Sequence, residues 1–174
     1  MSGPGITERE WHALYLQMER RLYNLAYRYV WDRQDAQDTV HDAFLQLWAR
    51  RGRIRADTAD RYLWIAVLNL SRKQRRWRRT KSFLSGDAAL LELPVADSVE
   101  PQLAAAQEHR LLHEAIDRLP EKLRSVLLLT EFADMSQQSV AELLAIPAGT
   151  VASRRHLALR QLHSQLKVDG HEHT

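Results

Sequence analysis

Apolar residues in the first half of the chain recur at steps of three and four positions, which is the spacing of one buried face of an α-helix. The pattern predicts helices at about residues 7–30 and 32–49, and a third that runs from about residue 60 into the segment SRKQRRWRRTK at 71–81. The first of these starts with a threonine followed three residues later by a glutamate, the signature of a capping box. The interval RRGRIRADT at 50–58 breaks the pattern with its glycine and its charges, which predicts a loop.

In the second half of the chain the periodicity is lost and then resumes. Residues 83–100 contain glycine and proline but no Lys or Arg, which predicts a linker. Pro101 and Pro120 are each well placed in the first turn of a helix, where proline is favoured. A serine can cap a short helix at 136–144, and another helix is predicted at about 148–167 after a three-residue turn. Two helices joined in this way indicate a helix-turn-helix.

The net charge of +3 is distributed unevenly along the chain. Residues 1–81 carry 17 Lys and Arg against 9 Asp and Glu, residues 82–109 carry five acidic residues and no Lys or Arg, and the remainder carries eight of each sign. Within 71–81, seven of eleven residues are basic, which is more than is needed to complement the dipole at the C-terminus of a helix. A basic first module, an acidic linker and a neutral second module indicate that the first module faces a polyanion.

The composition excludes several classes of protein. The absence of cysteine excludes disulfides and Cys-based zinc sites, and 6 Gly and 5 Pro are too few for a sandwich or barrel. With no signal peptide and no apolar run long enough to span a bilayer, we expect a cytoplasmic protein without direct membrane insertion. There is no phosphate loop or nucleophile motif, so neither an enzyme nor a cofactor or metal is expected. The predicted fold is all-α, with two small helical domains joined by a flexible linker.

Three segments together resemble a known family. DAQDTVHDAFLQLWAR at 35–50 looks like the region 2.2 helix of bacterial extracytoplasmic-function (ECF) sigma factors, group 4 of the sigma-70 family. DRYLWIAVLNLSRKQRRWRR at 60–79 looks like the helix of regions 2.3 and 2.4 in the same factors. Residues 112–162 are similar to region 4, including its Leu-Pro-Glu step and the Gly-Thr-Val entry to its recognition helix. The segments occur in the family's order and cover nearly the whole chain.

The resemblance implies a division of labour between two domains. Region 2, at residues 6–81, would dock on core RNA polymerase and would recognise and melt the minus 10 element. Residues 82–101 would be the linker, and region 4, at 102–168, would use its helix-turn-helix to read the minus 35 element. The implied partners are core RNA polymerase, through its beta-prime and beta subunits, promoter DNA and an anti-sigma factor. The implied function is to direct transcription initiation.

The resemblance also implies roles for individual residues of region 2. The positions matched to the surface that docks on the beta-prime coiled coil are Asp35, Asp38, His41 and Asp42. At the minus 10 element, cations neutralise phosphates and aromatic rings can stack on flipped bases, while the loop at 50–58 reads an extruded base. The residues matched to minus 10 DNA are Arg53, Arg55, Asn69, Arg72, Arg75, Arg76, Trp77, Arg78 and Arg79. Trp64 lies within the apolar pattern and is expected in the core, whereas Trp77 could stack on a base or shield the helix end.

In region 4 the recognition helix would lie in the major groove. Its expected base contacts are Thr150, Ser153, Arg154 and His156, and its expected phosphate contacts are Arg155 and Arg160. The family usually has glycine where this chain has Ala145, and a left-handed backbone would cost alanine roughly 1 kcal/mol or more, so the turn is expected to have a different geometry. Ala152 stands where the family often has a basic residue, which suggests a weaker electrostatic contribution at minus 35.

Three alternatives remain open at this stage. A stand-alone helix-turn-helix regulator would account for the second module and the basic run, but not for the acidic helix. A sigma mimic that occupies polymerase or a partner without opening DNA is a second alternative, which the intact melting helix disfavours. A metal-responsive protein could use His163, His171 and His173, although their spacing matches no recognised site.

Overall fold

The computed structural model describes the backbone of residues 5–85 and 99–171, and the side chains of residues 5–84 and 105–167. Within these residues the chain forms seven α-helices and one short 3-10 helix, which confirms the all-α fold. The chain divides into two compact units, Met1–Ala89 and Leu90–Thr174, which we call the N-terminal and C-terminal units.

Three long helices build the N-terminal unit. They are α1 (Glu8–Val30), α2 (Arg33–Ala49) and α3 (Ala59–Ser85), and a 3-10 helix at Ala56–Thr58 precedes α3. Each of the three packs against the other two, so that their apolar faces share one core. Burial of each large apolar side chain contributes about 1.5–3 kcal/mol. The largest of the fully buried side chains are Leu22, Leu25, Tyr29, Phe44, Leu47 and Leu63.

The starts of α1 and α2 are fixed by their caps. The Thr7 hydroxyl accepts a hydrogen bond from the Glu10 N–H at 3.3 Å, and the Glu10 carboxylate accepts one from the Thr7 N–H at 2.8 Å, so the predicted capping box is confirmed. These bonds to Thr7 hold the pKa of Glu10 below its usual value. At the other end of α1, Trp31 adopts a left-handed backbone with φ 55°, and Asp32 then caps α2 by accepting from the Asp35 N–H at 2.8 Å.

α3 continues without interruption through the basic run at 71–81, as the sequence predicted. Leu63, Val67 and Ser71 lie on its inner face and are fully buried. Trp64 is only 5% exposed, which confirms its expected place in the core, and the Arg21 guanidinium lies 5.2 Å from its ring centroid. All five tryptophans of the chain fall in the N-terminal unit.

Four helices build the C-terminal unit: α4 (Val99–Arg118), α5 (Glu121–Glu131), α6 (Gln137–Leu144) and α7 (Ala148–His171). α7 packs against the other three. As predicted, α5 begins directly after Pro120, and Ser136 caps α6 by accepting from the Ser139 N–H at 3.1 Å. Fully buried side chains of this core include Ile116, Leu127, Leu128, Leu129, Val140 and Val151.

The turn between α6 and α7 contradicts one expectation. Ala145 does adopt the left-handed backbone, with φ 54° and ψ 46°, so the prediction of a different turn geometry was wrong. In this conformation the N–H groups of Ala145 and Ile146 both reach the carbonyl of Ala141, the latter at 3.0 Å, and the end of α6 is closed. Satisfying this helix end outweighs the cost of placing an alanine Cβ in the left-handed region.

We therefore expect Ala145→Gly to stabilise the C-terminal unit by about 1 kcal/mol, because glycine adopts this backbone without the Cβ penalty. Native-state hydrogen exchange of the slowest amides in α5 and α7 measures the effect within this unit alone. The matched control is Ala152→Gly, in the helical interior of α7, which should destabilise by about 1 kcal/mol. An equal loss of stability in both variants would contradict the strain at Ala145.

Candidate nucleic-acid interface

The basic part of α3 presents an exposed stripe to solvent. Of the residues predicted to contact minus 10 DNA, Asn69, Arg76, Trp77 and Arg79 are exposed, whereas Arg72 and Arg75 are half-buried. The Trp77 ring is 55% exposed, and the Lys81 ammonium lies 5.1 Å from its centroid. A large ring at a solvent-facing position among cations offers a stacking surface and phosphate contacts side by side.

Arg78 is held inside the unit by two carboxylates of α2. Its guanidinium pairs with Asp32 at 2.9 Å and with Asp35, and Gln74 donates to the same Asp35 carboxylate at 3.0 Å. Desolvation acts to raise the pKa of Asp32, but the Asp35 N–H and the Arg78 guanidinium outweigh it, and the pKa lies below its usual value. This cluster fastens the basic segment of α3 to the start of α2.

The pairing bears on two of the predicted site residues. Asp35 was expected to face polymerase and Arg78 to face DNA, yet both are half-buried and bound to each other. Sequence reasoning could not foresee a pair 43 positions apart. The sequence did offer one signal. Asp32 and Asp35 lie at the start of a predicted helix, where acidic residues often cap the helix and are then engaged within the fold.

The loop between α2 and α3 carries the other two predicted minus 10 contacts. Arg53 is exposed, and Arg55 forms an exposed ion pair with Asp57 at 2.7 Å. Hydrogen bonds from Arg55 hold the pKa of Asp57 below its usual value. At the start of the loop, the Arg51 guanidinium lies over the Trp48 ring of α2 at 4.2 Å.

The outer face of α2 brings the remaining predicted polymerase contacts together. Asp38, His41 and Asp42 are all exposed and lie at steps of three and four positions, hence on one face of the helix. Leu45 continues this face and is 49% exposed, at the edge of a cavity of about 710 Å³ that Trp11 and Trp48 also line. Leu45 was missed in the sequence reading, although an apolar residue at an outward helical position was the signal.

In the C-terminal unit, α7 carries all six predicted minus 35 contacts, five of them in its first half and Arg160 directly after it. Ser153, His156 and Arg160 are exposed, and Thr150 and Arg154 are half-buried. Arg155 donates to the Glu131 carboxylate of α5 at 2.5 Å, and this hydrogen bond holds the pKa of Glu131 below its usual value. One cation expected on phosphate is therefore engaged within the unit, by a partner that the sequence reading did not identify.

Comparison with known proteins assigns both units. Residues 14–82 match the family model described as sigma-70 region 2, and residues 109–162 match that described as sigma-70, region 4. The chain is 30% identical to RNA polymerase sigma-H factor of Pseudomonas aeruginosa, over 84% of this chain and 81% of the relative. The chain belongs to the sigma-70 family, as an ECF sigma factor.

Other proteins similar to this sigma factor are also RNA polymerase sigma factors. It is 34% identical to RNA polymerase sigma-E factor of Streptomyces avermitilis, covering 84% of this chain and 79% of that protein, and 26% identical to ECF RNA polymerase sigma factor SigW of Bacillus subtilis, covering 84% and 83%. Its fold is similar to that of the sigma factor RpoE of Bartonella quintana, which was solved in complex with the anti-sigma factor NepR. That likeness has a TM-score of 0.67 at 20% identity and covers 92% of this chain and 99% of the other.

Membership of the family bears on the first of the alternatives, the stand-alone regulator. The sigma factor, a transcription initiation factor, is supported over the stand-alone regulator, because region 2 and region 4 occur together on one chain. In the part of the chain that the structure describes, no group of three His, Cys, Asp or Glu residues is placed to hold a metal ion; the side chain of His171 and all of His173, which the metal hypothesis needs, lie outside that part. No helix among the described residues is long and apolar enough to cross a membrane.

Proposed function

We propose that this sigma factor joins core RNA polymerase through its N-terminal unit, opens the minus 10 element with α3, and reads the minus 35 element with α7. The boundaries proposed for these roles are residues 6–81 for region 2 and 102–168 for region 4. The linker proposed at 82–101 lies largely outside the described residues. One observation carries the proposal: two exposed surfaces of opposite charge lie on different helices of one three-helix core. They are the acidic face of α2, with Asp38 and Asp42, and the basic stripe of α3, with Arg76 and Arg79.

The basic stripe has the chemistry that an opening promoter requires. Arg76 and Arg79 are exposed and can neutralise phosphates, which supplies affinity that depends on salt. Trp77 supplies a ring face on which an unpaired base can stack, worth about 1–3 kcal/mol for such contacts. A duplex offers no exposed base face except at its ends, so this combination favours the melted strand.

The outer face of α2 has the chemistry of a protein contact. Asp38 and Asp42 would be repelled by DNA. The exposed apolar surface of Leu45, beside Trp11 and Trp48, offers no charge or hydrogen-bond donor to a phosphate group. Charged residues around an apolar centre are typical of a protein interface. The partner proposed for this face is the beta-prime subunit, with further contacts of the factor to the beta subunit.

The start of α7 is suited to reading base edges in the major groove. Thr150, Ser153, Arg154 and His156 lie within its first three turns, on the helix that follows the α6–α7 turn. A base contact by one such side chain contributes about 1–3 kcal/mol of discrimination, whereas the exposed Arg160 would contribute affinity alone. An anti-sigma factor is proposed as a further partner, since the structurally similar Bartonella protein was solved with one.

Transcription in vitro tests the proposal. Purified core polymerase is given genomic fragments with and without this protein, and new start sites are mapped. We expect new starts that share two spaced upstream elements. Binding to DNA without binding to core would refute the proposal in favour of a stand-alone regulator, and binding to core without new starts would favour the sigma mimic.

Charge reversal on α2 tests the docking surface. We expect Asp38→Lys with Asp42→Lys to weaken binding to core polymerase at least about tenfold, because like charges then meet across the interface. The measurement is equilibrium binding to core in the absence of DNA. Glu108→Lys with Glu142→Lys makes the same change at exposed positions of the C-terminal unit and should leave the affinity unchanged. Equal affinity of both double variants for core polymerase would show that Asp38 and Asp42 are not part of the interface.

A further inference from the structure

The loop between α2 and α3 is braced by two residues that precede α1. The Ile6 N–H donates to the Arg51 carbonyl at 2.9 Å, and Gly5 forms an antiparallel bridge with Arg55. These two contacts fall on either side of the three central loop residues, Gly52–Ile54. The loop is therefore held at both of its flanks by a segment almost fifty positions away in the chain.

The bracing segment is itself fixed. Ile6 is only 4% exposed, so its side chain is anchored in the apolar interior. The next residue, Thr7, is locked by the capping box to the first turn of α1. Because α1 packs against both α2 and α3, the brace ties the loop to the same core that carries the basic stripe.

The contact leaves room for glycine alone at position 5. A Cβ placed on Gly5 would lie 2.8 Å from the Gly52 Cα and closer still to the Arg51 carbonyl oxygen. Both are backbone atoms, which no rotamer change can move aside. Any other residue at position 5 therefore forces the segment and the loop apart.

The loop combines a few bonds of its own with a high density of charge. Arg50, Arg51, Arg53 and Arg55 place four cations within six residues, all with exposed side chains, and Arg55 pairs with Asp57 at 2.7 Å. Its own backbone bonds are turn-like, from the Arg53 and Ile54 N–H groups to the Arg50 carbonyl at 2.8 and 3.2 Å. Repulsion among the other cations favours expansion of such a segment, and the contacts from outside the loop oppose that expansion.

We infer that Gly5 and Ile6 are positioning residues that hold the loop at 50–58 in the conformation that receives an extruded promoter base. The inference rests on the proposed minus 10 function of the N-terminal unit and on the role in reading an extruded base that the family resemblance implies for this loop. A loop fixed before DNA arrives loses little conformational freedom on binding and discriminates more sharply between bases, since a misfitting base cannot be accommodated by rearrangement. The two residues touch no DNA in this account and act through the loop.

Limited proteolysis tests the structural half of the inference, because trypsin cleaves after the loop arginines. In the full-length Gly5→Ala variant, cleavage within the loop should be roughly tenfold faster, as expected when one to two backbone hydrogen bonds are lost. Cleavage within α7 serves as an internal reference. Gly52→Ala makes the same substitution where an added Cβ meets nothing within 4 Å, and should leave loop cleavage unchanged.

Promoter discrimination tests the functional half. Transcription is compared across promoters that carry each single-base change in the minus 10 and minus 35 elements. Gly5→Ala should lower discrimination roughly tenfold at one minus 10 position, in line with the value of one specific base contact, and leave minus 35 discrimination and core binding intact. Ile6→Ala, which removes the anchor without adding bulk, should reproduce this pattern, and Ile6→Val should restore most of the discrimination.

Failure of this inference can be told apart from failure of the proposed function. Loop cleavage at the wild-type rate in Gly5→Ala, or faster cleavage with an unchanged base preference, would overturn the inference. Failure of the wild-type protein itself to direct promoter-specific transcription would overturn the proposed function instead.

Discussion

Replacing Arg76 and Arg79 together by alanine should lower open-complex formation at least about a hundredfold while leaving binding to core polymerase unchanged, because two charge-assisted contacts, each worth about 1.5–3 kcal/mol, are lost. Both side chains are exposed on the basic part of α3, beside Trp77. Neither forms an ion pair with any described residue, so nothing within the N-terminal unit is expected to be lost with them. The effect should therefore appear at the DNA step alone.

Salt dependence gives this prediction a second, independent readout. Each phosphate contact removed should reduce the slope of log affinity against log salt by about 1, hence by about 2 for the double variant. Arg20→Ala with Arg110→Ala removes the same charge from exposed positions on α1 and α4 and serves as the matched control. If the Arg76 and Arg79 double variant opened promoters as well as the wild type does, the assignment of α3 to the minus 10 interface would be wrong.

Arg124→Met should destabilise the C-terminal unit by about 3 kcal/mol. This arginine is only 3% exposed, and its guanidinium donates to the carbonyls of Ile116, Asp117 and Leu119, with distances of 3.1 and 2.8 Å to the first two. It also pairs with Glu121 at 2.8 Å. These carbonyls lie at the end of α4, where a helix has no partners of its own for its last C=O groups.

Methionine fills much of the same space but donates no hydrogen bond, so the helix end of α4 would be left unsatisfied in the interior. Hydrogen exchange of amides in α5 and α7 measures the loss. Arg110→Met is the matched control, because Arg110 is exposed on α4, so the change should cost less than about 0.5 kcal/mol. Equal stability of the two variants would show that Arg124 is dispensable as a cap.

Helix positions could be predicted from the sequence because local signals determine them. The capping box at Thr7, Pro101 in the first turn of α4, Pro120 directly before α5, and the serine that caps α6 each act within one helical turn. Ala145 shows the limit of such rules. A left-handed backbone is costly for alanine, but the hydrogen bonds that close α6 depend on the whole turn and outweigh that cost.

The candidate site could be predicted only in part. The sequence shows which residues are charged, but it does not show which of them form ion pairs with each other in the folded protein. Asp35 and Arg78 look as available as Asp38 and Arg76, and only the packing of α2 on α3 distinguishes them. Arg124 likewise reads as one more surface cation until α4 and α5 are folded. Long-range contacts of this kind are set by tertiary structure and leave no periodic signal.

The placement of all five tryptophans in the N-terminal unit gives the protein a built-in optical label. Intrinsic fluorescence excited at the indole band reports this unit alone, whereas far-ultraviolet circular dichroism reports the helices of both. A denaturant titration followed by both signals therefore resolves whether the two units unfold together or one by one. Four of the rings are at least half-buried, and the exposed Trp77 is the one placed to report the arrival of single-stranded DNA by a change in emission.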